Sequence, residues 1–175
     1  HHYPSFYGSE LHSNPLENLI SVGRSDSNDQ VPLGANRGAQ TVSLFAPGQN
    51  IVSTYPTSMN SDLSVGYRYN SGSSMAAPHV TGVASLLLAY DSSLTTSEIK
   101  DAILNNVDYV AAMDGLCVTN GRLNAYETLK SIANCNELVS DIGYQGSDFA
   151  WLGFVDAVFD GTEDEVWLED NTIFV

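Results

Sequence analysis

A nearly continuous apolar segment, NSGSSMAAPHVTGVASLLLAY, runs from Asn70 to Tyr90. Its first residues form a small flexible turn, and the rest is apolar on every face apart from a proline, a histidine and two hydroxyls. A helix without a polar face is normally surrounded by protein. The pattern therefore predicts a buried central helix whose first turn begins at Ser73 to Met75.

Shorter β-favouring runs precede this helix and predict strands. Four strands are expected in this part of the chain, at 18–23, 41–48, 49–56 and 67–70. The polar segment 24–30 is predicted to be a turn, and 1–17, which lacks periodicity, is predicted to be a surface loop. His12 in that loop has no thiol or carboxylate nearby at metal-binding spacing, so it is interpreted as a loop histidine.

The residues after Tyr90 predict a second helix at about 96–106. Apolar residues recur there at near-helical spacing, and Thr95 or Thr96 stands in a cap-like position with Glu98 close behind.

The end of the chain mixes aromatic residues, glycines and acids. Two β-prone runs, 149–159 and 165–175, flank an Asp-Gly turn at 160–161 and predict an accessory hairpin. The final run is equally consistent with a strand that joins a partner sheet or a continuing domain. The acidic residues after the turn do not match the spacing of a twelve-residue calcium loop, so a solvated acidic turn is expected.

Composition narrows the range of partners. The 175 residues allow one domain with a real core, and 21 acidic against 6 basic residues give a formal net charge of −15. Nucleic acid and acidic membrane surfaces are disfavoured, because both attract positive charge. No apolar run reaches the ~18–20 residues that span a bilayer. Cys117 and Cys135 can form one disulfide or remain two separately buried thiols.

The serines at the start of the central helix have two interpretations. A serine at a helix N-terminus can be a cap, because its oxygen accepts from backbone amides that have no partner within the helix. The same position also suits a nucleophile, because free amides and the positive end of the helix dipole stabilise negative charge there.

The string GSSMAAPHV decides between them, because it resembles the serine block of subtilisin-like serine proteases, usually GTSMAxPHV. Further blocks resemble those of the family and occur in the family's order: YPSFY, NLISVG, ANRG, LFAPG and IVST before the helix, and NGRLNA after it. The last block implies a turn into a final helix at about 123–133. The resemblance covers roughly residues 3–133.

The resemblance implies an α/β fold: the C-terminal portion of a subtilisin-like parallel-sheet sandwich with a buried central helix, plus a small β-rich tail. The domains would be the C-terminal part of a peptidase domain at 1–134 and an acidic, β-prone extension at 135–175. The implied reaction is hydrolysis of a polypeptide substrate through an acyl-enzyme on Ser74. The resemblance further implies that the Ser73 hydroxyl helps to stabilise the oxyanion and that Asn70, Ser71 and Gly72 line the substrate cleft. It implies a structural role for His79.

A serine hydroxyl needs a base and a group that orients that base. The family's Asp block, His block and oxyanion asparagine are absent from this sequence, which has only His1, His2, His12 and His79. His79 follows Ser74 by five residues, about 140° around a helix, and cannot readily face its hydroxyl.

We therefore expect an N-terminal segment of the same protease to supply Asp and His. The alternatives are a catalytically inactive homologue that serves as a structural or binding subunit, and an isolated fragment that folds differently. The family implies secretion, with the cysteine pair as weak support. No cofactor is required for the chemistry. Structural calcium occurs in relatives, but no ligands for it can be identified in this sequence.

Overall fold

The computed structural model of the protein describes residues 5–9, 11–56 and 66–133. They belong to one compact unit that ends at Ala133. The extension expected at 135–175, with its two β-prone runs, lies outside the described residues, and the domain boundary at 134 stays a prediction.

Two short 3-10 helices, six strands and three α-helices make up the described part. In chain order they are a 3-10 helix at Ser5–Gly8, β1 (Val22–Ser25), β2 (Leu44–Pro47), β3 (Ile51–Thr54), β4 (Tyr67–Asn70), α1 (Ser73–Tyr90), α2 (Thr96–Asn105), β5 (Asp108–Tyr109), a 3-10 helix at Ala111–Met113, β6 (Gly121–Arg122) and α3 (Ala125–Ile132). The predicted α/β class is confirmed.

The main sheet has the strand order β1-β2-β6-β5. β1 and β2 are parallel, with Val22 opposite Leu44 and Ser25 opposite Pro47, and β6 runs parallel to β2 on its other side. β5 is antiparallel to β6. A separate antiparallel pair, β3 and β4, stands directly before α1 in the chain. β1 is thus an edge strand of the sheet as far as the described residues extend.

The core lies between this sheet and the helices. Its buried members come from β2, α1 and α2: Leu44, Ala46, Ala76, Val80, Val83, Leu87, Ile99, Ala102 and Ile103. A second cluster around Phe45, Met113 and Cys117 includes the strand residue between Leu44 and Ala46, whose side chain points to the opposite face. Burying one Leu or Phe contributes about 1.5–3 kcal/mol, so the first cluster fixes α1 firmly on β2.

Helix α1 is buried along one stripe only in the described part of the chain. Its opposite side exposes Leu86, Leu88 and Tyr90 by 51%, 44% and 43%. The sequence predicts an all-round apolar helix surrounded by protein, whereas the described elements cover only the side that faces β1, β2, α2 and α3. The apolar outer face is therefore available to a further segment.

The first strand differs from the expectation. The apolar run 18–23 predicts it too early, and Arg24 and Ser25, expected in a polar turn, belong to β1. The reason is pairing at long range, since Arg24 lies opposite Ala46 in the parallel register. β2, β3 and β4 lie within or coincide with the predicted segments. The two-residue strands β5 and β6 fall where the sequence predicts no strand, because they form by pairing with each other and with β2. The last helix begins at Ala125, two residues later than predicted, because Asn124 caps it.

A capping box begins α2, at one of the two predicted positions. The Glu98 carboxylate accepts from the Thr95 backbone amide at 2.8 Å and from the Thr95 hydroxyl at 2.7 Å, while Thr95 Oγ1 accepts from the Glu98 amide. The backbone hydrogen bond, followed by the side-chain one, lowers the pKa of Glu98 below its ordinary value of 4.5.

This lowered pKa predicts a pH-dependent contribution to stability. A carboxyl whose pKa is lower in the folded state stabilises the fold above its unfolded pKa and loses that contribution as the pH falls through the folded pKa. We expect Glu98→Ala to have a smaller free energy of unfolding than wild type at pH 7, and the difference to shrink below pH 4.5. Urea unfolding at several pH values measures it. Asp101→Ala serves as control, because the Asp101 side chain lies on the same helix and makes no hydrogen bond with the described residues. If the stability difference between Glu98→Ala and wild type were equal at all pH values, the expectation would be contradicted.

Candidate active site

The turn between β4 and α1 is held by backbone contacts. The Gly72 amide donates to the Gly48 carbonyl oxygen at 2.8 Å, and Ser71 Oγ accepts from the Asn50 amide at 2.8 Å. The Met75 amide donates to the Gly72 carbonyl oxygen at 3.0 Å. These bonds tie the start of α1 to the loop that follows β2.

Gly72 is the N-cap of α1, and no side chain makes a capping hydrogen bond there. Ser73 and Ser74 are the first and second residues of the helix, and Ser74 is exposed. The capping interpretation of these serines therefore does not apply in the described structure. The Ser74 hydroxyl stands at a helix N-terminus, where the amides of the first turn lack partners within the helix.

Gly48 allows the close approach that positions this turn. A Cβ at Gly48 would lie 2.6 Å from Arg24 Cβ, 2.7 Å from the Gly72 carbonyl oxygen and 3.0 Å from Ala76 Cβ. The Gly48 amide also donates to the Ser25 carbonyl oxygen at 3.0 Å. The ends of β1 and β2 and the start of α1 therefore meet at a residue without a side chain. This is the carboxyl edge of a parallel sheet, where α/β proteins place their ligands.

Two pockets meet at Ser74. The first, which we name the arginine pocket, has a volume of about 160 Å³ and is formed by Arg24, residues 34–36 and the helix start 72–74. The second, named the hairpin pocket, has a volume of about 340 Å³. It is formed by residues 51–53 of β3 and by Ser74, Met75, Pro78 and His79 of α1. A group bound in either pocket lies beside Ser74.

The other predicted cleft residues lie along the same turn. Asn70 ends β4 opposite Ile51 in the hairpin, and both Asn70 and Ser71 are exposed. Gly72 and Ser73 line the arginine pocket together with Ser74. The five predicted residues, 70–74, thus lie together at the N-terminus of α1, beside the two pockets.

The described histidines are engaged elsewhere. His79 Nδ1 lies 2.9 Å from the Met75 carbonyl oxygen, which can only accept, so this nitrogen carries the proton. His12 Nδ1 contacts the backbone of Asn14 and not α1. Neither forms a hydrogen bond with Ser74 among the described residues, so a base for this serine is not present in that part of the chain.

Sequence reasoning missed Arg24 as a pocket residue, because it assigned 24–30 to a turn. The available signal was a cation directly after an apolar run, at the carboxyl end of a parallel strand. The other interior cation, Arg122 of β6, is fully engaged: it pairs with Asp29 at 2.8 Å and Asp108 at 2.6 Å. Burial opposes its charge, but the two carboxylates outweigh burial and raise the pKa of Arg122.

The described residues do not test the possible disulfide between Cys117 and Cys135 or the possible structural calcium. Cys117 is buried and free there, with Sγ 3.8 Å from Thr119 Oγ1, while Cys135 lies outside the described residues. No group of three or more His, Cys, Asp and Glu residues that could hold a metal occurs within residues 5–9, 11–56 and 66–133. None of the helices in this part of the chain is long and apolar enough to cross a membrane.

Comparison with known proteins identifies the family. The model of the subtilase family matches residues 1–143. The chain is similar to thermitase of Thermoactinomyces vulgaris, 38% identical over 128 residues, which are 73% of this chain and 39% of thermitase. It is also similar to an extracellular serine proteinase of Thermus sp. strain Rt41A, 40% identical over 85 residues, covering 49% of this chain and 19% of that protein.

A structural relative gives the same fold. A structure of the subtilase cytotoxin SubAB assembly superposes with a TM-score of 0.61 and 22% sequence identity, over 81% of this chain and 45% of that one. The chain belongs to the subtilase family. It spans about two fifths of the length of thermitase.

Proposed function

We propose that this chain is the serine-bearing part of a subtilisin-like serine endopeptidase in which Ser74 is the nucleophile. The observation that carries the proposal is the position of Ser74. It is exposed, it is free of a capping role, and it stands where two pockets meet at the N-terminus of α1. Membership of the subtilase family supports the same role.

In the proposed reaction, Ser74 Oγ attacks the carbonyl carbon of the scissile peptide bond. Its proton passes to a histidine base, which then donates it to the departing amine. The Ser74 backbone amide and the N-terminus of α1 stabilise the oxyanion, assisted by the Ser73 hydroxyl. Water then hydrolyses the acyl-enzyme and restores the serine hydroxyl. The exposed backbone of 70–72 pairs with the extended substrate.

We propose that an N-terminal segment of the same protease supplies the histidine and aspartate. The support is twofold. β1 has a free edge among the described residues, and α1 exposes an apolar face that includes Leu86 and Leu88. Parallel sheets are normally covered on both faces, and free edges are normally protected. A segment that pairs with β1 and packs on α1 satisfies both requirements.

Polypeptides are the proposed substrates, and the proposed location is outside the cell. The name of the extracellular Thermus relative supports the location. No cofactor is needed for the acyl transfer itself. Structural calcium remains a proposal without assigned ligands, and so does a disulfide between Cys117 and Cys135.

A fluorophosphonate probe tests the proposal, because it phosphonylates only a serine activated by a base. We expect the full-length protein to take up one probe per molecule, and peptide mass spectrometry to locate it on Ser74. Labelling carried out at low pH, where the histidine is protonated, should be suppressed.

An assembled, folded protein that takes up no probe would contradict the proposal. It would favour the second candidate, a catalytically inactive homologue that serves as a structural or binding subunit. The observation behind that candidate is the lack of a base beside Ser74 in the described part of the chain.

A further inference from the structure

We propose that Arg24 binds a carboxylate of the peptide substrate in the arginine pocket and so gives the protease a preference for acidic substrates. This inference rests on the proposed function, since it names the substrate class of the same site. It depends on where the Arg24 guanidinium lies, on its lack of partners and on the other groups that line the pocket.

Arg24 lines the arginine pocket without a hydrogen-bond or ion-pair partner among the described residues. Its Nε atom is buried without a hydrogen bond, and its other nitrogens make no hydrogen bond or ion pair with the described residues. A buried, unpaired donor destabilises the fold, and more so when it is charged. Arg24 is thus an unsatisfied cationic donor at the wall of a pocket.

The acids nearest in sequence are engaged elsewhere. Asp26 Oδ1 accepts from the backbone amides of Asn28 and Gln30 at 2.9 and 2.8 Å, and Asp29 pairs with Arg122. Among the described cations, Arg122 and Lys130 pair with carboxylates, whereas Arg24 does not. No acidic side chain of the described residues therefore competes with a substrate carboxylate for Arg24.

The remaining pocket groups suit an anion. Residues 34–36 supply the Asn36 side chain, and the helix start supplies the Ser73 and Ser74 hydroxyls, so the lining contains hydrogen-bond donors and no acidic side chain. The N-terminus of α1 adds its positive dipole end. A volume of about 160 Å³ holds several waters or one short side chain such as that of Asp or Glu.

The pocket also lies at the reacting group. Ser74 belongs to its wall, so a carboxylate bound by Arg24 places the adjoining peptide group next to the hydroxyl. A guanidinium binds a carboxylate through two parallel hydrogen bonds, which fixes the orientation of the ligand as well as its charge. The same chemistry can come from an acidic side chain or from the C-terminal carboxylate of a short peptide.

Matched peptides distinguish these sources in the full-length protein. One set of internally quenched peptides, amidated at the C-terminus, carries Glu, Gln or Lys at a single position within three residues of the cleaved bond. A second, neutral set differs only in a free or amidated C-terminus. We expect kcat/KM to be about 10- to 100-fold higher for Glu than for Gln, or for the free acid than for the amide.

Variants of Arg24 test whether this residue causes the preference for acidic substrates. Arg24→Gln should remove it, Arg24→Lys should retain part of it as a point charge, and Arg24→Glu should favour the Lys peptide. Lys100→Gln changes the net charge equally but lies on α2, and it should leave the preference intact.

Equal rates for peptides that differ only in this charge would overturn the proposal, and so would a preference that survives in Arg24→Gln. Fluorophosphonate labelling separates this failure from that of the proposed function. A wild-type protein that labels at Ser74 but shows no acidic preference contradicts only the role of Arg24. A protein that does not label contradicts the peptidase assignment, and the specificity with it.

Discussion

Replacing Ser74 by alanine is expected to lower peptide hydrolysis by about six orders of magnitude, the loss that follows removal of the nucleophile in a subtilisin. The stability of the fold should not change. Ser74 is exposed and makes no capping hydrogen bond, so its hydroxyl contributes little to the folded state. The comparison requires kcat with an internally quenched peptide and the free energy of unfolding, both measured on the full-length protein.

Ser85→Ala is the matched control on the same helix. Ser85 Oγ donates to the Thr81 carbonyl oxygen one turn earlier, far from either pocket, so both measurements should stay near wild type. If Ser74→Ala retained more than about a hundredth of the activity with Ser85→Ala unchanged, Ser74 would not be the nucleophile.

Gly48→Ala is expected to impair both stability and catalysis. The new methyl group would meet the Gly72 carbonyl oxygen at 2.7 Å and Arg24 Cβ at 2.6 Å, distances that real Cβ atoms avoid. Neither neighbour is the end of a flexible side chain, so the turn before Ser74 must move. Overpacking of this kind costs about 1–3 kcal/mol, and a displacement of about 1 Å at the reacting group lowers the rate by about 100-fold.

Gly72→Ala provides a stability control within the same turn. A Cβ at Gly72 would meet the Ser74 nitrogen at 3.6 Å and Met75 Sδ at 3.7 Å, which are ordinary contacts. Alanine is a poorer N-cap than glycine, so Gly72→Ala should lose a modest part of the stability, and urea unfolding should rank Gly48→Ala clearly below it. Equal stability of the two variants would show that Gly48 is not needed for the close approach.

Local signals in the sequence were sufficient to predict α1 and α2. The threonine and glutamate at Thr95 and Glu98 predict the start of α2, because both partners of the capping box lie within four residues. The unbroken apolar run likewise predicts α1 from its first turn. Both elements depend on interactions between near neighbours in the chain.

The ends of the strands and the residues that line the pockets could not be predicted from local signals. β1 extends to Arg24 and Ser25 because they pair with Ala46 and Pro47, more than twenty residues later. An apolar-run criterion assigns a charged residue to a turn, although a parallel neighbour can hold it in a strand. For the same reason, the exposed side of α1 was not predicted. An apolar composition predicts that a helix is buried, but it does not indicate which other elements cover each face of the helix.

The sequence by itself determined the family, through blocks that follow one another in the subtilase order, and it placed the first turn of the central helix at Ser73 to Met75. Only the tertiary structure decided that Gly72, not a serine, occupies the N-cap, and that Arg24 shares a pocket with Ser74. The reason is physical. A motif and a helix are written in adjacent residues, whereas this site forms where residues 24, 48 and 72, remote in the chain, approach one another closely around a glycine.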